Sequence, residues 1–260
     1  MNRFFKNIKK YKKYTLRSAK AELKSEVADS RLNWLWWVLE PLCFMLIYTF
    51  IFGVVFQNST PYFASFVFVG LTCWEFFNRM ITGSVHLIVK NRDLVTKVYL
   101  PKYVLLLAKS CTYLFKMGIS IVIAFGLMIF QGVRLSWHIL FIIPTLIVLY
   151  LLSFGLGMIL MNWGVTLSDL GNLVNIIMRM VFYMSGVFFN ISERLSGTIC
   201  FILLKVNPVA FLMNEMRQVM LYNQMPDLLE LAVWCLISLF LCWCGIRAIH
   251  RNENSYAKVI

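Results

Sequence analysis

Leu32 to Phe56 reads LNWLWWVLEPLCFMLIYTFIFGVVF, and Glu40 is the sole charged residue in it. A helix needs about 20 mainly apolar residues to cross a bilayer, so the stretch predicts a transmembrane span over 34–56. That assignment sets the class of the whole chain. Glu40 stands before Pro41, which lacks a backbone N–H and kinks a helix. Asn33, Trp37, Glu40, Phe44 and Tyr48 follow at three- and four-residue steps and share one helical face. Such a face suits a polar or sugar-bearing passage, because aromatic rings can lie against sugar faces and are tolerated beside lipid. For Trp34, Trp36 and Trp37 themselves, the aromatic belt of the membrane interface is the stronger reading.

The remaining residues agree. Of 260 residues, 60% are apolar and 16% aromatic, and only 14% are charged, against roughly 25% charged in a soluble domain. The composition predicts an integral protein of the plasma membrane. A net charge of +13 would suggest nucleic acid in a soluble chain, but most of it flanks apolar runs. There lysine and arginine set orientation and meet anionic headgroups, so membrane lipids and no nucleic acid are the expected partners. The seven cysteines form no C-x-x-C pair, so neither zinc nor a disulfide framework is expected. His86, His138 and His250 have no carboxylate at ligand spacing. The P-loop, zinc-protease and nucleophile-elbow motifs are all missing. The chain is therefore not expected to be an enzyme or to hold a cofactor, and uphill transport would draw on an ion gradient or a separate ATPase.

An all-α architecture with six spans follows, at about 34–56, 62–81, 104–130, 139–163, 172–190 and 228–249. Residues 1–33 carry helix formers with Leu16, Ala19 and Leu23 at helical spacing, which predicts an amphipathic interfacial helix before a membrane domain over 34–260. With the N-terminus inside, inner segments hold seventeen Lys and Arg and outer segments four: Arg134, Arg194, Lys205 and Arg217. Both termini are then cytoplasmic. Region 191–222 contains two apolar runs too short to cross, broken at Asn207-Pro208. They read as a re-entrant helix pair and a candidate external gate, with Asn207, Pro208, Glu215 and Arg217 as its residues.

Charges inside spans need placement, since an arginine at mid-membrane costs on the order of 2.5–3.5 kcal/mol on insertion scales. Glu75 and Arg79, at i and i+4 with the acid first, read as a self-neutralising pair. Lys109, Tyr113, Lys116 and Ser120 form a polar stripe on the third span, with Lys116 too deep to snorkel easily. Asn172, Asn175, Arg179 and Tyr183 form another on the fifth. Arg179 either faces a cavity or partner subunit, or snorkels along its helix to the interface. The residues expected to line a shared substrate pathway are Trp37, Glu40, Phe44, Tyr48, Lys116, Asn175, Arg179 and Tyr183.

LNWLWWVLEPLCFMLIYTFIFGVVF, NRDLVTKVYLPK (Asn91–Lys102), MRMVFYMSGVFF (Met178–Phe189) and LLKVNPVAFLMNEMRQVML (Leu203–Leu221) occur in that order. Together they resemble the membrane subunit of polysaccharide and teichoic acid ABC exporters, within the ABC type-2 permease family. Two positions depart from the family pattern: Ser185-Gly186 stands where relatives commonly have Ser-Pro, and Ser168-Asp169 where many have Arg-Asp. The resemblance implies a homodimer of six-helix subunits above two copies of a separate ATP-binding subunit, which would hold ATP and Mg. It implies a lateral entrance beside the N-terminal helix, where Arg17, Lys20, Lys24 and Arg31 would attract an anionic lipid headgroup. It also implies an ATPase-coupling connection at 83–103, with Arg92, Asp93, Leu94, Lys97, Tyr99 and Pro101 as contacts. The implied cargo is a glycan or polyol-phosphate polymer on a polyprenyl-diphosphate lipid. A drug or small-molecule efflux permease of the same architecture and an ion-driven carrier are the alternatives.

Overall fold

A computed structural model of the chain describes residues 2–28, 31–57, 60–191, 197–253 and 256. Among them every regular element is helical. In chain order these are α1 (Asn2–Ala28), α2 (Trp36–Tyr48, continued by a π-helical stretch Thr49–Val55), α3 (Phe63–Val85), α4 (Leu87–Lys90) and α5 (Arg92–Lys97). Then come α6 (Tyr103–Phe130), α7 (Ile142–Trp163), α8 (Leu170–Met184), α9 (Gly197–Phe201), α10 (Pro208–Met220) and α11 (Leu228–Asn252).

Among the described residues four stretches are long and apolar enough to cross a membrane: Trp36–Val55, Tyr103–Phe130, Trp137–Trp163 and Leu228–Asn252. α3 has 23 residues, about 34 Å at 1.5 Å per residue, but Glu75 and Arg79 dilute its apolar character. α8 stops after 15 residues. The fifth span expected over 172–190 is therefore shorter: Ser185 caps it and Gly186 takes φ +65°, a conformation open to glycine without Cβ strain. The departure at Ser185-Gly186 thus marks where the helix ends.

α3 is the central element, buried almost all round between α2, α6, α7, α8 and α10. The tightest helix pair is α7 with α11. A Cβ on Gly155 would sit 2.8 Å from the backbone N of Cys242, and one on Gly245 would sit 2.7 Å from Cβ of Met158. Small residues at these crossings let the two backbones approach, the usual basis of helix association in lipid, where burial from water does not drive packing.

α10 starts as its sequence dictates. Asn207 caps it, its Oδ1 accepting from the N–H groups of Val209 (3.1 Å) and Ala210 (3.3 Å), with Pro208 in the first turn. Asn207 also donates from Nδ2 to Ser185 Oγ at 3.0 Å, tying α10 to the end of α8. Arg217 corrects the sequence-based expectation. It was counted as an outer-loop cation and gate residue, yet it is only 4% exposed. It donates to three backbone carbonyls, Phe66 (3.1 Å), Gly186 (2.9 Å) and Val187 (2.8 Å), and its guanidinium lies 3.6 Å from the Phe66 ring centroid. Gly70 makes room for it, since a Cβ there would collide with Nη2. Glu215 is likewise buried, accepting from the backbone N–H of Asp227 at 2.8 Å. Both charges are consumed in holding α10 in place, so neither is free to line a gate.

α1 forms over the expected N-terminal segment. Of the apolar stripe, Ala19 is buried and Leu23 half-buried, and Leu16 is exposed, so only part of it meets the protein. α1 lies along α6 through Tyr11, Tyr14, Ala19 and Glu22, with Asn7 Nδ2 donating to the Tyr103 hydroxyl at 2.8 Å.

Replacing Arg217 by Met strips three buried carbonyls of their donor and is expected to destabilise the purified protein by on the order of 3 kcal/mol. Gly70→Ala should also lower Tm, but add little once Arg217 is gone, because it acts by displacing that guanidinium. Additive losses in thermal unfolding of the double variant would contradict this account.

Candidate functional site

Between α2, α3 and α6 lies a cavity of about 130 Å³. α2 contributes Trp37, Glu40, Pro41, Phe44 and Tyr48, the stripe recognised in the sequence. α3 contributes the floor, including Phe68, Thr72, Trp74, Glu75 and Arg79, and α6 contributes Tyr113, Lys116, Met117 and Ser120. Phe182 reaches in from α8. Part of the lining is aromatic: Phe44 and Tyr48 stack with centroids 6.3 Å apart, and Trp74 meets Phe182 at 5.0 Å. Charged side chains, Glu40, Glu75, Arg79 and Lys116, make up another part.

The charges are paired. Arg79 Nε donates to Glu75 Oε2 at 2.9 Å, the i, i+4 pair legible in the sequence, and Arg79 Nη2 lies 3.6 Å from Glu40 Oε2 on α2. Lys116 Nζ meets Glu26 of α1 at 2.5 Å, and Lys109 Nζ donates to Glu22. Sequence reasoning missed both acids of α1. The sequence carries no signal for them, since Glu22 and Glu26 lie one helical turn apart and Lys109 and Lys116 two. Tyr113 completes the wall by pressing its hydroxyl against Gly83, where a Cβ would collide with it.

Of the eight expected pathway residues, Trp37, Glu40, Phe44, Tyr48 and Lys116 come together here. Asn175, Arg179 and Tyr183 do not, and are exposed on the outer face of α8. The reason is helical phase. α8 packs through Leu170, Val174 and Met178, continued by Phe182. The hydrophilic residues fall one position later, about 100° round the helix.

The connection after α3 forms two short helices, α4 and α5. Arg92, Asp93, Lys97 and Tyr99 are exposed on it and Leu94 is half-buried. Pro101, expected as a contact, is buried at the entry to α6 and acts as a corner of the fold. Arg17, Lys20 and Lys24 are exposed on α1, and Arg31 is exposed beyond its end. At the pole opposite α4 and α5, Lys205 bridges Asp227 (3.0 Å) and Glu230, and Asp227 caps α11 by accepting from the Glu230 N–H at 3.2 Å.

The family profile for ABC-2 type transporters matches residues 15–221, four-fifths of the chain. The chain belongs to the ABC-2 type transporter family. This permease is 28% identical over 262 residues, covering all of both chains, to the O-antigen export system permease protein RfbA of Myxococcus xanthus. It is 24% identical over 245 residues, 92% of each chain, to the O-antigen export system permease protein RfbA of Klebsiella pneumoniae. The polysialic acid transport protein KpsM of Escherichia coli is 23% identical over 243 residues, 90% of this chain and 91% of its own. With its apolar helices, the permease is a multi-pass protein of the inner membrane.

Two outcomes follow for the charges. Glu26→Lys or Lys116→Glu alone sets like charges together in a partly buried site and should cost on the order of 2 kcal/mol, while the double swap should restore most of the loss. Failure of the swap to restore thermal stability would contradict the pairing. At the opposite pole, hydrogen bonding to Lys205 holds the Asp227 carboxyl below its usual range, and Glu230 and Asp227 hold the Lys205 ammonium above its own. The acid's contribution is present above about pH 4 and lost as pH falls further, and the lysine's is present below about pH 10.5 and lost above. The destabilisation caused by Lys205→Gln should therefore be flat from about pH 5 to 9 and shrink below about pH 4.

Proposed function

We propose that this chain is the permease subunit of an ATP-driven exporter that carries a lipid-linked polysaccharide, or a related polyol-phosphate polymer, from the cytoplasmic side across the inner membrane. The observation that carries this reading is the cavity itself. It sets aromatic rings beside ion-paired side chains, which suits sugar rings and hydroxyls better than a free anion or a purely apolar drug. End-to-end similarity to relatives named for O-antigen export supports the cargo class.

In this reading the subunit forms a homodimer of six-span protomers, with α3 and α8 as the second and fifth spans. α9 and α10 form the re-entrant pair, and both termini are cytoplasmic. The exposed edge of α4 and α5 then faces the cytoplasm and seats a separate ATP-binding subunit, which holds ATP and Mg. The basic face of α1, with Arg17, Lys20, Lys24 and Arg31, attracts the diphosphate headgroup, each charge adding about 1 kcal/mol near an anionic lipid surface. Glu26 and Lys116 neutralise one another where that helix borders the cavity.

In cells supplied with the partner ATPase, Arg92→Glu with Lys97→Glu is expected to lower surface polymer at least about tenfold, because reversing charge at a docking rim works against association. Lipid-linked polymer should accumulate inside, with the permease still in the membrane at wild-type levels. Unchanged export by that variant, or export that persists with a hydrolysis-dead ATPase, would overturn the proposal.

A further inference from the structure

We propose that Arg179 works across the subunit boundary, supplying the cation that the charged wall of the second copy's cavity lacks by pairing with Glu40 there. The inference rests on the homodimer reading above and names the surface and the residue through which one protomer completes the other.

The first observation is the position of Arg179. It is exposed on α8 among Ile176, Ile177 and Met180, and among the described residues it makes no ion pair or hydrogen bond. It sits nine residues into the helix, about 13 Å along the axis at 1.5 Å per residue. A guanidinium surrounded by exposed apolar side chains at that depth demands a counter-charge.

The second observation is its level. His86 lies against Gly171 and Trp74 against Phe182, so α3 and α8 run antiparallel in a fixed register. Three positions before Phe182, Arg179 falls at a height between Glu75 and Arg79. Glu40 shares that height, because it reaches Arg79.

The third observation is the charge count. At this height the cavity and its flanking helix hold Glu26, Glu40 and Glu75 against Arg79 and Lys116, one carboxylate in excess. Glu40 has the weakest partner, 3.6 Å away, and half its side-chain surface is free. Arg179 falls about 100° round α8 from the residues through which that helix packs, on its exposed face. A twofold axis makes such a contact reciprocal: each protomer gives one arginine and receives one, and both walls become neutral. Snorkelling to lipid headgroups is the competing fate of Arg179, and it leaves Glu40 unmatched.

The test uses two differently tagged copies co-expressed with the partner ATPase, Glu40→Cys in one and Arg179→Cys in the other, treated with a short bis-maleimide. The expected result is a cross-linked species carrying both tags, missing when either variant is paired with the wild-type copy, which controls for the seven native cysteines. Separately, Arg179→Glu and Glu40→Arg should each lower export at least about tenfold, and the two together in one chain should bring it back to within about threefold of wild type. Tags that co-purify without a 40–179 adduct and without rescue overturn the inference while leaving the homodimer standing. Wild-type copies that fail to co-purify overturn the homodimer reading, and this inference with it.

Discussion

A charge placed in a low-dielectric helix bundle must be neutralised where it stands, and the places where this chain does so fix how its helices are arranged. Arg79 draws α2 onto α3 by meeting Glu40 as well as Glu75. Lys109 and Lys116 draw α1 onto α6 through Glu22 and Glu26. Among the described residues Arg217 meets no carboxylate and takes three backbone carbonyls instead, which locks α10 to α3 and to the turn after α8. Breaking such a contact from one side strands a buried partner and costs more than the contact contributes on its own. The charges therefore specify which helices touch more than they add stability.

Apolar packing then fills in around these pins. The α7–α11 pair closes because Gly155 and Gly245 remove the side chains that would hold the backbones apart. α3 accepts neighbours on every side and becomes the axis of the protomer. α2 and α8 stay largely uncovered, exposing Phe44, Leu46, Ile47 and Phe50 on one and Leu173, Ile177 and Met180 on the other.

How much of this could be read from the sequence depended on whether the determining interaction was local. Apolar runs long enough to cross announce themselves, and α2, α6, α7 and α11 emerge near their expected ends. The Glu75–Arg79 pair is written in one helix and was legible. So was the face holding Trp37, Glu40, Phe44 and Tyr48, because helical period alone gathers it. The partners of Lys109 and Lys116 lie about 90 residues earlier in the chain and were not legible. Arg217 was misplaced because its carbonyl cradle and Gly70 belong to segments far away in sequence. For α8 the period was legible and the direction was not. A polar stripe shows that a face exists, and only the packing of Leu170, Val174 and Met178 shows which way it points.

The central claim is that the aromatic and charged cavity is the route taken by the glycan. A photoactivatable benzophenone amino acid placed at Phe44, inside the cavity, and separately at Phe240, on the exposed face of α11, reports it most directly when cells are irradiated during active export. The account predicts a glycan-bearing adduct at position 44 that requires a working ATPase, and none at position 240. Equal labelling at both positions, or labelling at 240 alone, would contradict it.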